Sequence, residues 1–143
     1  MPGAHRRGLP LALVASAILA SGCGTSESDQ VRAKVEQFLR AAQRKDYKTL
    51  CSQVLAPSLL SRFVSVNLPC EEGLRIALAG VENPTLAIGR ISVNGSHASA
   101  ITLTGASGQQ SSLDAIQLVK TASGWRVQSL GSPVSAAGRP SKK

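Results

Sequence analysis

The chain has 143 residues, with 16 Lys or Arg against 8 Asp or Glu, which gives a formal net charge of +8. This length suits a single domain. The basic charge favours an acidic partner, but only 3% of the residues are aromatic, which leaves few side chains to stack on bases and argues against nucleic-acid binding.

The first 22 residues have the layout of an export signal. His5, Arg6 and Arg7 form a positive start, and residues 9–20 are apolar apart from one Pro and one Ser. A helix that stays in a bilayer needs about 20 apolar residues, so this run is too short to remain as a permanent span. The sequence therefore predicts a signal peptide over residues 1–22.

The end of that run, "LASGC", resembles the lipobox of bacterial lipoproteins, although Leu19 lies one place further from the cysteine than the usual lipobox Leu. In that family the cysteine is diacylated on sulfur and becomes the new N-terminus. Cys23 is the matching residue, and the resemblance implies a lipid anchor on the outer, extracytoplasmic face of the bacterial cell membrane. The alternative is ordinary secretion, which would leave Cys23 as an odd thiol in an oxidising compartment.

Composition divides the mature chain into three parts. Residues 23–28 form the lipidated cysteine and a polar stalk, residues 29–130 a folded domain, and residues 131–143 a disordered basic tail rich in Ser, Gly, Pro and Ala. Loss of Arg6 and Arg7 lowers the net charge to +6. The remaining cations predict either a solvated face or attraction to anionic lipid or cell-wall polymer, and export leaves nucleic acid as the weakest partner.

The first half of the domain is helical. Apolar residues at helical spacing predict an amphipathic first helix, with Ser28 or Asp29 as its N-cap. Asp46 is placed to cap a second helix that carries another apolar stripe. The two stripes are Val31, Val35, Phe38, Leu39 and Ala42, then Tyr47, Leu50, Cys51, Val54 and Leu55.

Two further helices follow. Pro57 suits the first position of a short third helix, where its missing N–H costs nothing. A fourth helix is predicted after Pro69, because Glu71 and Glu72 favour the positive end of the helix dipole.

After Pro84 the apolar pattern changes to a period of two. The parity switches between Ile88 and Ile91, which predicts a bulge, and Asn94-Gly95 predicts a hairpin turn. "HASAITLT", "SLDAIQLVK" and "WRVQSL" complete four antiparallel strands. The predicted class is α+β, with three to four N-terminal helices packed on one face of a curved four-stranded antiparallel sheet in meander order.

The helix order, the segment "RKDYKTLCSQVL" and the final "GWRVQSL" resemble the nuclear transport factor two-like superfamily. That resemblance implies a cone-shaped α+β fold over residues 29–130, with a pocket between sheet and helices at its open end. The superfamily includes ketosteroid isomerase, polyketide cyclases and small exported bacterial proteins. The two remaining cysteines resemble those of its exported actinobacterial branch.

Cys51 and Cys70 are expected to form a disulfide outside the cytosol. Their loop of about 20 residues would stabilise the fold by roughly 3 kcal/mol. A buried thiol pair, a metal site with His97 and a reactive cysteine are the alternatives. The sequence has no cluster of ligands at ordered spacing, and His97 follows a turn, so neither a metal nor a cofactor is predicted.

Three residues are candidates for the pocket: Tyr47, Asp114 and Trp125. Asp114 shares its strand parity with Ile116 and is the candidate that could act as an acid or base. The sequence favours a non-catalytic domain that binds a small apolar ligand or another envelope protein, with no catalytic residue. The alternative is an isomerase- or cyclase-type enzyme, which requires at least two convergent polar groups in the pocket.

Overall fold

The computed structural model describes Met1 and residues 24–133, so the predicted signal peptide, Cys23 and residues 134–143 lie outside the described residues. The helices are α1 (Glu27–Gln43), α2 (Tyr47–Thr49), α3 (Pro57–Val64) and α4 (Cys70–Ala77), and a π-helical segment, the π-turn (Leu50–Val54), continues α2. The strands are β1 (Thr85–Asn94), β2 (His97–Gly105), β3 (Ser112–Thr121) and β4 (Gly124–Pro133). Among the described residues, no helix has the length and apolar character needed to cross a membrane.

The start of α1 differs from its prediction. Ser26 is the N-cap, since its backbone is extended and its Oγ accepts a hydrogen bond from the Asp29 N–H at 3.1 Å. Ser28 and Asp29, the predicted caps, lie inside the first turn. The cap of α2 is as predicted: Asp46 accepts from the Thr49 N–H at 3.0 Å, and that bond lowers the pKa of the Asp46 carboxyl.

The second helix is one α-helical turn followed by the wider π-turn, which sequence periodicity does not reveal. The Leu55 N–H donates to the Leu50 carbonyl at 2.9 Å, the i to i+5 bond of a π-helix. The chain then becomes extended, and the Ala56 N–H donates to the Val127 carbonyl at 2.8 Å. The end of this helix is therefore attached directly to β4.

Both later helices begin where the sequence predicts. Pro57 is the first residue of α3, and α4 carries Glu71 and Glu72 in its first turn. Gly73 is buried, and a Cβ there would overlap the ring of Phe63. The absence of a side chain at Gly73 thus allows α4 to pack closely against α3.

The sheet is a four-stranded antiparallel meander in the order β1-β2-β3-β4. The predicted bulge is present, because the β1 register shifts between Ile88 and Ile91. β4 continues to Pro133, which pairs with Asp114, so the first three residues of the predicted tail belong to the sheet. Gly131 adopts a φ of 116°, a conformation open to glycine, and this lets the strand continue past its register irregularities.

The core lies between the inner face of the sheet and the helices. Alternate residues of β2, β3 and β4 join buried residues of α1 and the π-turn in one hydrophobic core. This packing of helices on an antiparallel sheet confirms the α+β class. The largest fully buried side chains are Leu50, Leu55, Ile116, Leu118, Val31, Val35, Val54, Val127 and Thr102.

Candidate functional site

A cavity of about 300 Å³ lies at one end of the helix and sheet layers. It is enclosed by the last turns of α1, the segment after α4, the start of β1, the β2–β3 loop and the end of β4. Its walls are mainly apolar and include Phe38, Leu39, Ala42, Leu78, Val81, Leu86 and Leu130.

The cavity lies where apolar side chains of α1 are only partly covered by the rest of the domain. Val31 and Val35 are fully buried against the sheet, whereas Phe38 and Leu39 on the following turns are only half-buried. Ala42, with its small side chain, lines the last turn. Facing side chains therefore leave space unfilled at this end.

Among the described residues that line this cavity, Asp114 is the only one with an ionisable side chain. Thr104 Oγ1 donates to Asp114 Oδ2 at 2.7 Å, and Ser112 Oγ donates to Oδ1 at 3.1 Å. No Lys, Arg or His within residues 24–133 forms an ion pair with it. An ionised carboxylate offers about four acceptor positions, so two remain for a ligand.

Hydrogen bonds between loops hold the cavity mouth in place. Gln109 Nε2 donates to the Gly80 carbonyl at 3.1 Å, and the Ser107 N–H donates to the Glu82 carbonyl at 2.8 Å. Gln43 Nε2 at the end of α1 donates to the Pro84 carbonyl at 3.0 Å. These bonds connect three segments around the mouth, so the cavity is formed without a ligand.

Of the three predicted pocket residues, Asp114 lines the cavity, while Tyr47 and Trp125 do not. Tyr47 is half-buried against the core. Trp125 lies on the inner face, as its parity predicts, but next to the β3–β4 turn at the opposite end of the sheet and only 2% exposed. The turn signal "TASG" immediately before it could have placed Trp125 at that end.

Trp125 has a structural partner that sequence reasoning missed. Its indole Nε1–H donates to Glu27 Oε2 at 2.7 Å, and Lys120 Nζ pairs with Glu27 Oε1. The Lys120 bond, followed by the indole bond, lowers the pKa of Glu27. Because 98 residues separate Glu27 from Trp125, no local pattern predicts this contact.

A second depression, of about 460 Å³, lies beside Trp125 and is more open and more polar than the cavity. Lys34 Nζ donates there to Gln37 Oε1 at 2.7 Å and to the Gln53 carbonyl at 3.0 Å. Burial, followed by the nearby Arg126, lowers the pKa of Lys34. This depression lacks the enclosing apolar walls of the cavity.

The predicted disulfide is present. Cys51 in the π-turn is bonded to Cys70 at the start of α4, with their Cα atoms 6.1 Å apart. His97 is exposed beside the β1–β2 turn, and the two cysteine sulfurs are bonded to each other. Within the part of the chain that the structure describes, no group of three His, Cys, Asp or Glu could hold a metal ion.

Neither a protein-family model nor a curated protein matches the chain. Solved structures that resemble it include three NTF2-fold or lipid-binding proteins. An NTF2-like (nuclear transport factor two-like) protein of unknown function from Shewanella baltica has a TM-score of 0.51 at 18% identity, over 73% of this chain and 92% of its own. A candidate dehydratase of the NTF2-like family from Streptomyces avermitilis has a TM-score of 0.45 at 20% identity, over 71% and 90%. A phospholipid-binding protein from Ralstonia solanacearum has a TM-score of 0.43 at 15% identity, over 73% and 76%.

The first of these structures, together with the observed helices and meander sheet, defines the fold as an NTF2-like α+β cone. The cavity lies at the end of the sheet where β1 begins and β4 ends. Since proteins with one fold perform unrelated functions, the likeness carries no activity to this chain.

Proposed function

We propose that the protein is a lipid-anchored domain of the bacterial cell envelope whose cavity binds a small, largely apolar ligand without transforming it. The observation that carries this proposal is the cavity of about 300 Å³ with apolar walls. Ligand sites are concave, mostly apolar and equipped with a few polar groups, and this volume is at the lower end of their range.

The polar groups of the cavity favour binding over proton transfer. Acid–base catalysis on the isomerase or cyclase pattern would require a second titratable group opposite Asp114. Among the described lining residues Asp114 has no such partner, and its two neighbours, Thr104 and Ser112, donate their hydroxyl protons to it. The enzyme remains the alternative function, and it would be supported by turnover that depends on Asp114.

The proposed anchor would hold the cavity away from the membrane. Three residues separate Cys23 from Glu27, the first residue of α1, and that stretch spans at most roughly 14 Å. The α1 residues that line the cavity run from Phe38 to Ala42, roughly 17 to 22 Å further along the helix at 1.5 Å per residue. A lipid at Cys23 would thus place the Trp125 end of the domain near the bilayer and the cavity on the aqueous side.

Native mass spectrometry of the exported chain from residue 24 to residue 143, compared with its denatured mass, tests ligand binding. We expect the native protein to carry a small apolar adduct. Ala42→Phe, which fills the cavity, should remove the adduct. Ala33→Phe, on the same helix but in the second depression, should retain it.

Two results would contradict the proposal. An adduct that persists in Ala42→Phe would place the ligand elsewhere. An empty native protein that also fails to take up aliphatic probes would indicate that the domain acts through contacts with other envelope proteins.

A further inference from the structure

We infer that the ligand of this cavity is a small amphiphile that carries a protonated amine next to its apolar body. This inference rests on the proposed function and specifies the chemistry of the ligand. It is carried by Asp114, the carboxylate placed inside an otherwise apolar cavity.

Asp114 has no ion-pair partner among the described residues, unlike four other carboxylates. Glu27, Glu36, Glu72 and Glu82 each form an ion pair with a Lys or Arg, all at exposed or half-exposed sites. Asp114 is half-buried, and its described partners are two neutral hydroxyl groups. A ligand that fills the cavity would cover this carboxylate and remove it from water, which is costly unless a cation on the ligand compensates it.

The two hydroxyls also orient the carboxylate. Thr104 on β2 and Ser112 on β3 each donate to a different oxygen of Asp114, which fixes the plane of the group. The oxygens keep acceptor positions for an incoming donor. Gly131 contributes room, because a Cβ at that position would lie 3.1 Å from the Asp114 Cβ.

Charge and volume limit the ligand. A carboxylate or phosphate head would place like charges together, whereas an ammonium forms charge-assisted hydrogen bonds that are about twice as strong as neutral ones. A cavity of about 300 Å³ has the volume of roughly ten liquid water molecules. It therefore suits a single short chain or a compact ring system.

Calorimetry of the exported chain from residue 24 to residue 143 with octylammonium, octanol and octanoate tests the inference. These probes share one apolar chain and differ in the head group. We expect octylammonium to bind roughly tenfold more tightly than octanol, with octanoate the weakest, from the difference between charged and neutral hydrogen bonds.

Two matched variants locate the preference. Asp114→Asn should bring the affinities for octylammonium and octanol to within about twofold, as removal of the ionic hydrogen bond predicts. Glu36→Gln removes the same charge from an exposed site on α1 and should retain the preference. Near-ultraviolet circular dichroism verifies that each variant is folded. If Asp114→Asn does not fold, the comparison of the three probes on the unaltered protein decides the inference.

The outcomes separate this inference from the proposed function. If octanol and octanoate bind as well as octylammonium, the amine is excluded and the apolar site stands. If no probe binds, both proposals fail. If octylammonium is preferred only after the chain is shortened to end at Pro133, the partner of Asp114 is the basic tail of the protein, and the inference is overturned.

Discussion

At the residue scale, two inward-facing side chains have unrelated roles because they lie at opposite ends of the sheet. Trp125 is buried in the core and donates its indole N–H to Glu27. Asp114 is at the other end, where its neighbours are Thr104, Ser112 and the cavity. A buried indole N–H left without an acceptor would be destabilising, so Glu27 is needed for the packing of Trp125.

Glu27→Gln should make the free energy of unfolding depend less on pH in the acidic range. The folded state lowers the pKa of Glu27, so its contribution is present above the ordinary value of 4.5 and is lost as the pH falls through the folded pKa. We therefore expect the variant to unfold at a lower urea concentration than the unaltered protein at pH 7, and the difference to shrink at pH 3.

Urea unfolding followed by Trp125 fluorescence measures this difference. Glu36→Gln is the control, because its exposed pair with Arg40 should contribute little at either pH. A gap between Glu27→Gln and the unaltered protein that is as wide at pH 3 as at pH 7 would contradict the proposed electrostatic role.

At the element scale, covalent and backbone bonds hold the short helices in place. Neither the one-turn α2 nor the eight-residue α4 is long enough to be stable alone. The Cys51–Cys70 disulfide joins the π-turn to α4, and the hydrogen bond from Ala56 to Val127 joins the same region to β4. These bonds arrange the helices over the sheet.

Removal of the disulfide in the double variant Cys51→Ala, Cys70→Ala should lower the free energy of unfolding by about 3 kcal/mol, because the unfolded chain gains the freedom of the opened loop. Denaturant unfolding under oxidising conditions measures the loss. A reducing agent should destabilise the unaltered protein by a similar amount and leave the double variant unchanged. Equal stability of both proteins without reductant would mean that the bridge does not contribute.

At the scale of the whole molecule, an anchor at Cys23 would lie at the opposite end of α1 from the cavity. The N-terminal end of α1 contacts Lys120 and Trp125 beside the β3–β4 turn, and its last turns line the cavity. A short tether at the first end would leave the second free to exchange ligand with the aqueous phase.

Cys23→Ala should release the protein from the membrane into the soluble fraction, because the sulfur that would carry the lipid is removed. Fractionation of cells that express the full chain measures the distribution. Thr25→Ala, two residues further on, should leave the protein in the membrane fraction. Membrane retention of Cys23→Ala would overturn the lipid anchor.

Local signals in the sequence determined much of the fold. The Asp46 cap, Pro57 at the start of α3 and the parity switch at the β1 bulge each act within a few neighbouring residues, so each could be predicted. Strand parity with Ile116 left two possibilities for Asp114, an inward orientation or a place at the frayed start of its strand. Such features depend on backbone geometry and hydrogen bonds of short range.

Tertiary structure alone decided the features that depend on distant partners. The π-turn is accommodated by contact with β4, the last residues of β4 are held by pairing with β3, and Glu27 reaches Trp125 across 98 residues of chain. The cavity likewise arises where α1, the loops and the strand ends fail to fill space together. Parity in the sequence grouped Trp125 with Val127 and Asp114 with Ile116. Only the strand register placed Trp125 beside Glu27 and Asp114 in the cavity, because pairing between strands decides which residues lie at the same end of the sheet.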